Sequence, residues 1–156
     1  MASQIHLRLG ARPWQPADTA RPGKVLNHYD IPLAGILKQH GEYYLFECLE
    51  GETQEASLWA YVPISHATAR KLRRLTGDQL TSAMHSSYSG QTITVALALS
   101  GRIEQGESIN VPVRQEAART GGLRSAQDTT RAEGLKALQR KADRDKSAVD
   151  CLVAVV

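Results

Sequence analysis

The side chains that could do chemistry are few and scattered. Cysteine occurs twice, as Cys48 and Cys151. Two thiols are too few for a disulfide framework or a four-cysteine zinc site. Cys48 with His28, His40 or His85 could in principle form a thiolate nucleophile and its base. Yet Cys48 alternates with Tyr44 and Phe46 in an apolar stretch, which favours a buried, inert thiol. The five histidines, His6, His28, His40, His66 and His85, show no two-ligand helical spacing, so no metal is expected. Glu42, Glu47, Glu50, Glu52 and Glu55 bracket one short region and read as solubilising edge charges. A general acid–base pair would need depth and a perturbed pKa. Ser86, Ser87, Ser89 and Thr92 have no nucleophile-elbow context. Arg119-Thr120-Gly121-Gly122-Leu123-Arg124 could form a backbone nest for an anion but lacks P-loop spacing, so a linker is the simpler reading. No catalytic residue and no cofactor is nominated.

Two kinds of cluster remain. Five of the eight aromatic residues, Tyr43, Tyr44, Phe46, Trp59 and Tyr61, lie within nineteen positions. On two paired strands they would occupy both faces of a hairpin. One face would be core. The other, through Tyr43, Tyr44, Trp59 and Tyr61, could line an interaction groove; core packing with wet hydroxyls is the plainer alternative. Arg70, Lys71, Arg73 and Arg74 form the first basic cluster, able to hold a phosphate or to complement a helix C-terminus. Arg140, Lys141 and Arg144 belong to a second, in a segment from 114 to 146 with nine basic and five acidic residues. A nucleic-acid backbone could follow that second cluster, with steep salt dependence. The interspersed acids dilute its field.

The elements that must position these groups follow from pattern. The chain has 156 residues, 42% hydrophobic and 22% charged, with net charge +3. That suits one ordinary domain with an appendage. No apolar run approaches a membrane span, and the N-terminal residues lack a signal-peptide core. A soluble cytoplasmic protein is expected. Ile5–Leu9 alternates like a short strand, and residues 10–24, with Pro13, Pro16 and Pro22, read as loop in which Trp14 could pin onto the core. Leu33–Gln39, Tyr43–Leu49 and Ser57–Val62 read as an antiparallel meander, the last closed by Pro63. Ser65 caps a helix from His66 to Leu75, stopped by Gly77. Asp78 caps a second short helix, Gln79–His85. Gln91–Leu99 is a strand with Ile93, Val95, Leu97 and Leu99 on one face. Ile109–Val113 is a further strand, at an edge because of Pro112. Residues 114–124 read as a linker. A helix from Ala126 to Lys146 carries Ala132, Leu135, Leu138 and Ala142 as its stripe, interrupted by Gly134. The apolar tail from Ala148 to Val156 is either a completing strand or an exposed, adhesive segment.

Tyr29-Asp30-Ile31-Pro32, Tyr44-Leu45-Phe46 and Leu58-Trp59-Ala60-Tyr61-Val62-Pro63-Ile64-Ser65, followed by a leucine-bearing helix, resemble an uncharacterised bacterial family of small α+β domains. Its members begin with a Tyr-Asp-x-Pro strand and carry a Trp-x-x-x-Pro-x-Ser strand exit. The resemblance covers residues 27–100. It implies an intracellular bacterial setting and a meander–helix–strand order, and no activity.

The sequence therefore predicts an α+β fold: an antiparallel sheet of four to six strands with one or two short helices over residues 25–113, then a C-terminal basic helix and apolar tail over 125–156. The expected function is a non-enzymatic protein-interaction or regulatory module, acting on a protein partner or a second copy. A nucleic-acid accessory protein using the basic C-terminal helix is the alternative, and an enzyme of undefined chemistry the third.

Overall fold

A computed structural model describes residues 7–15, 24–51, 55–112 and 126–153, with the side chains of 126–129 and 145–153 outside the description. Six strands form one antiparallel sheet in chain order: β1 (Lys24–Tyr29), β2 (Ile31–Gln39), β3 (Glu42–Glu50), β4 (Ala56–Ile64), β5 (Thr92–Leu99) and β6 (Arg102–Asn110). Helices α1 (His66–Leu72) and α2 (Gly77–Ser86) connect β4 to β5, and α3 (Ala126–Val153) follows β6. This is the expected α+β fold.

Two strand connections are tight turns made by local backbone chemistry. His40 and Gly41 have φ of 51° and 85°, and Ser100 and Gly101 have 49° and 76°. Two successive positive φ angles give the turn whose twist matches flanking antiparallel strands. The first turn places Lys38 opposite Tyr43 across the β2–β3 pair.

The sheet is covered on both sides. One face packs Ile36, Leu45, Val62, Ile93, Val95 and Ile109 against Ala69 and Leu72 of α1, Met84 of α2, Tyr88, and Ala137 and Leu138 of α3. The other face buries Leu37, Tyr44, Phe46, Trp59, Tyr61, Ala96 and Ala98 beneath Leu7, Leu9 and Trp14. Double cover explains the unbroken apolar run of β4, in which every residue from Ser57 to Val62 is buried.

Several expectations change. Residues 7–10 form no strand, although Leu7 and Leu9 do face the sheet. The buried Gln39 side chain takes the place of a partner strand: its Oε1 accepts from the Arg8 N–H at 2.7 Å and its Nε2 donates to the Arg8 carbonyl at 2.9 Å. Pro63 lies inside β4 rather than closing it. Pairing with β5 ends at Tyr61, so position 63 owes no donor on that side. Ser65 does cap α1, its Oγ accepting from the Thr68 N–H at 3.0 Å. But α1 stops at Leu72, and Gly77 begins α2 instead of ending α1. Of the strand expected at 109–113, only Ile109 and Asn110 are strand, as the end of β6, which starts at Arg102; Val111 and Pro112 lie beyond it and 113 is outside the described residues.

The buried stripe of α3 is Thr130, Gly134, Ala137 and Leu138, while Leu135 is exposed. The helix also continues through Val153, so residues 148–153 are helical and complete no sheet. Gly134 is the contact point with β5. A Cβ there would sit 3.0 Å from Val95 Cγ1, so the glycine permits an approach that any other residue would crowd. The proposed linker at 114–124 lies outside the described residues.

Candidate functional site

Burial reassigns most of the aromatic cluster. Trp59 and Tyr61 are 0% and 2% exposed and Tyr44 is also buried, so these three belong to the second core and line no open groove. The hairpin face that needed cover receives it from the chain's own N-terminal segment. The Tyr61 hydroxyl donates to the Pro13 carbonyl at 2.6 Å, and the Trp59 indole N–H donates to Ser57 Oγ at 2.8 Å. The Trp14 and Trp59 ring centroids are 6.0 Å apart. Burial pushes the Tyr61 hydroxyl far above its ordinary pKa, and burial followed by the Glu42 charge raises that of Tyr44.

Tyr43 is different. It faces the helix side and stacks on His66, with centroids 5.4 Å apart and planes 24° from parallel. Lys38 Nζ lies 5.3 Å and the Arg73 guanidinium 5.7 Å from the Tyr43 ring centroid, both within cation–π range. The tight β2–β3 turn brings Lys38 to Tyr43. The β3–β4 register sets Ile64 beside Tyr43, and the Ser65 cap then swings His66 onto the ring. On α1, His66, Arg70 and Arg73 follow one another at helical spacing on a single face. Lys38 and His66 were absent from the sequence-derived cluster. The hairpin register carried the signal for Lys38, because a two-residue turn at 40–41 dictates a 38–43 pair.

Lys38, Arg70, Lys71, Arg73 and Arg74 make no ion pair with a described carboxylate. The second basic cluster is used internally. Lys141 Nζ donates to the Gly106 carbonyl at 2.9 Å, and Arg144 lies 3.8 Å from Glu107, so both tie α3 to β6. Arg140 is exposed and lines a shallow groove with Glu107 and Glu133. Arg131 approaches Glu50 at 3.9 Å, and Lys136 meets Glu133 at 3.2 Å.

No family model, curated protein or solved structure matches this chain.

The remaining chemistry-bearing groups are not brought together. Cys48 is half-buried beside the second core, its thiol 3.5 Å from the Glu50 carbonyl, whereas His85 lies on α2 over the opposite face. His40 sits in the turn at the far end of β3, and His28 lies on β1, two strands away. Glu47 is no edge charge: it accepts from the buried Tyr88 hydroxyl at 2.6 Å. Burial first, then the Glu47 charge and this bond, raises the Tyr88 pKa well above its ordinary value. Ser86 and Ser87 donate to the Ser82 and Ala83 carbonyls of their own helix, and Thr92 donates to Asn110. Among the described residues, no three His, Cys, Asp or Glu side chains converge as metal ligands. Likewise, no described helix is long and apolar enough to cross a membrane. His6, Glu52 and the 119–124 nest lie outside the described residues.

An open cleft of about 810 Å³ lies between α1 and α2. Pro63, Ile64, Leu72, Leu75 and Ala83 line it together with a larger number of polar residues, among them Lys71 on α1 and Asp78 on α2. The sequence did not reveal this cleft, since it depends on how two short helices diverge.

Proposed function

We propose that the chain is a non-enzymatic protein-interaction module that engages an acidic segment of a partner through α1 and the β2–β3 turn. One observation carries this reading. Lys38 and Arg73 lie over the Tyr43 ring, and Arg70, Lys71 and Arg74 neighbour Arg73 in sequence at the end of α1, all five without a described carboxylate, in a protein whose described α3 cations are largely paired. Like charges held close together raise one another's energy, and an acidic ligand relieves that cost. Complementing the α1 dipole accounts for Arg70, Lys71 and the C-cap Arg73, but not for Lys38 on β2.

Support also comes from the groups that could otherwise react. The Cys48 thiol, the Ser86 and Ser87 hydroxyls and the Tyr88 phenol are each engaged in internal hydrogen bonds. A nucleic-acid partner would want a free ring for base stacking. The Tyr43 ring is instead taken up by His66, Lys38 and Arg73.

The test is fluorescence anisotropy with two labelled probes of matched charge, a glutamate-rich peptide and an oligothymidylate, over a salt series. Tighter binding of the peptide, weakened on the order of tenfold by Arg70→Glu with Arg73→Glu, is the expected result. Tighter binding of the oligonucleotide, or indifference to the charge reversal, would overturn the proposal.

A further inference from the structure

We infer that the cleft between α1 and α2 seats one large apolar side chain of that acidic partner, held as an extended peptide segment along α1. The inference rests on the acidic-partner reading and adds the feature that would make such a contact selective. A cation patch alone discriminates poorly, because any acidic surface satisfies it.

The geometry of α1 joins the two sites. His66 and Arg73 flank Tyr43, with Arg70 at helical spacing between them, whereas Thr68, Lys71, Leu72 and Leu75 line the cleft. Lys71 thus belongs to both the basic patch and the cleft wall. A segment whose carboxylates meet the cations of α1 must run beside the opening. The cleft volume of about 810 Å³ suits a side chain with flanking backbone. Its lining mixes apolar and polar surface in similar measure, and the apolar part adjoins the helix-side core at Ile64 and Leu72.

Charge fixes the occupant's orientation. Asp78 on the α2 wall repels a second carboxylate, so the occupant's acidic residues lie toward Lys71 and its apolar side chain inward. The hydroxyl protons of Ser86 and Ser87 are already donated to helix carbonyls. Their oxygens keep lone pairs, which match the backbone N–H groups of a peptide. The α2 wall thus offers acceptors at Ser86 and Ser87, and the α1 wall a cation at Lys71.

The probes are two labelled glutamate-rich peptides, identical except for a central tryptophan in one and alanine in the other. Binding of both to the full chain is followed by anisotropy. The tryptophan peptide should bind at least tenfold more tightly. Ser82→Phe and Gln79→Phe, two exposed cleft positions, should each abolish that preference. Using both guards against one variant altering α2, and an unchanged thermal midpoint checks the fold. Arg70→Glu with Arg73→Glu should weaken both peptides alike and keep the preference. Equal affinities in the unmodified protein, or a preference that survives both filled clefts, would overturn the inference and leave the acidic-partner reading standing. Failure of both peptides to bind would remove the two together.

Discussion

Tyr61 shows how a single hydroxyl fastens two parts of the chain separated by 48 positions. Its phenol is enclosed, and its proton is given to the carbonyl of Pro13, itself buried. Replacing Tyr61 with Phe keeps the ring but leaves that carbonyl without its donor. The cost should be about 1–3 kcal/mol of unfolding free energy, read by urea denaturation. The same residue predicts a pH dependence. Burial raises the folded-state pKa of Tyr61, and burial with Glu47 raises that of Tyr88, above the unfolded value near 10. Above about pH 10 the unfolded chain loses these protons while the folded chain keeps them, so the unfolded state binds fewer protons and stability falls. The contribution is complete below about pH 10 and is lost as pH rises through the folded values. Denaturation midpoints measured from pH 8 to 11.5 should therefore drop steeply in the alkaline arm. Tyr61→Phe should drop less steeply from its lower start. Parallel curves for the two proteins would mean that Tyr61 ionises equally well in both states.

At the scale of elements, the packing of α3 on β5 depends on what Gly134 lacks. In an isolated helix, Gly134→Ala should stabilise by about 1 kcal/mol. Here the added methyl would meet three carbon atoms of Val95 at 3.0 to 3.3 Å. Val95 is fully buried and β-branched, so it has little room to turn aside. Overpacking costs of about 1–3 kcal/mol outweigh the propensity gain, and Gly134→Ala should be destabilising. In a Val95→Ala background only the Cβ contact at 3.3 Å remains, and the same substitution should become stabilising. A double-mutant cycle in urea checks that reversal of sign. Gly134 also marks the limit of what the sequence made legible. A glycine inside a helical pattern reads as a defect until the neighbouring strand is in place. The central strands were legible because both their faces are apolar, and the cap at Ser65 because its chemistry is local. The edge strands were not. In β1 and the first half of β6 most residues are exposed or half-buried, so polar residues mask the alternation. The basic residues of α1 were legible as a cluster. Their setting was not, since the Tyr43–His66 stack and the cleft arise from register and helix divergence.

The molecule as a whole is a sheet with two different covers, and the N-terminal cover is the thinner. Three helices protect one face, whereas Leu7, Leu9, Trp14 and the Gln39–Arg8 and Tyr61–Pro13 bonds protect the other. Removing residues 1–15 should therefore leave the helix-side core, α1 and the cleft in place while uncovering Tyr44, Phe46, Trp59 and Tyr61. An apolar face of that size drives association in water. The truncated chain should sediment as an oligomer and still bind a glutamate-rich peptide through Lys38, Arg70 and Arg73. Trp14 leaves with the deletion, so Trp59 becomes the sole tryptophan of a sequence that has two. Its emission reports the uncovered face directly, shifted to the red in any monomer and quenched by iodide there. A monomeric truncate with blue, unquenched emission would show that another part of the chain closes the face. Removal of α3 makes the instructive contrast. It strips cover from Val95 and Ile109, so association after that deletion would follow from an opened core, and its absence or presence says nothing about a natural interface there. The N-terminal deletion separates the two properties cleanly, because the basic patch and the face it uncovers lie on opposite sides of the sheet.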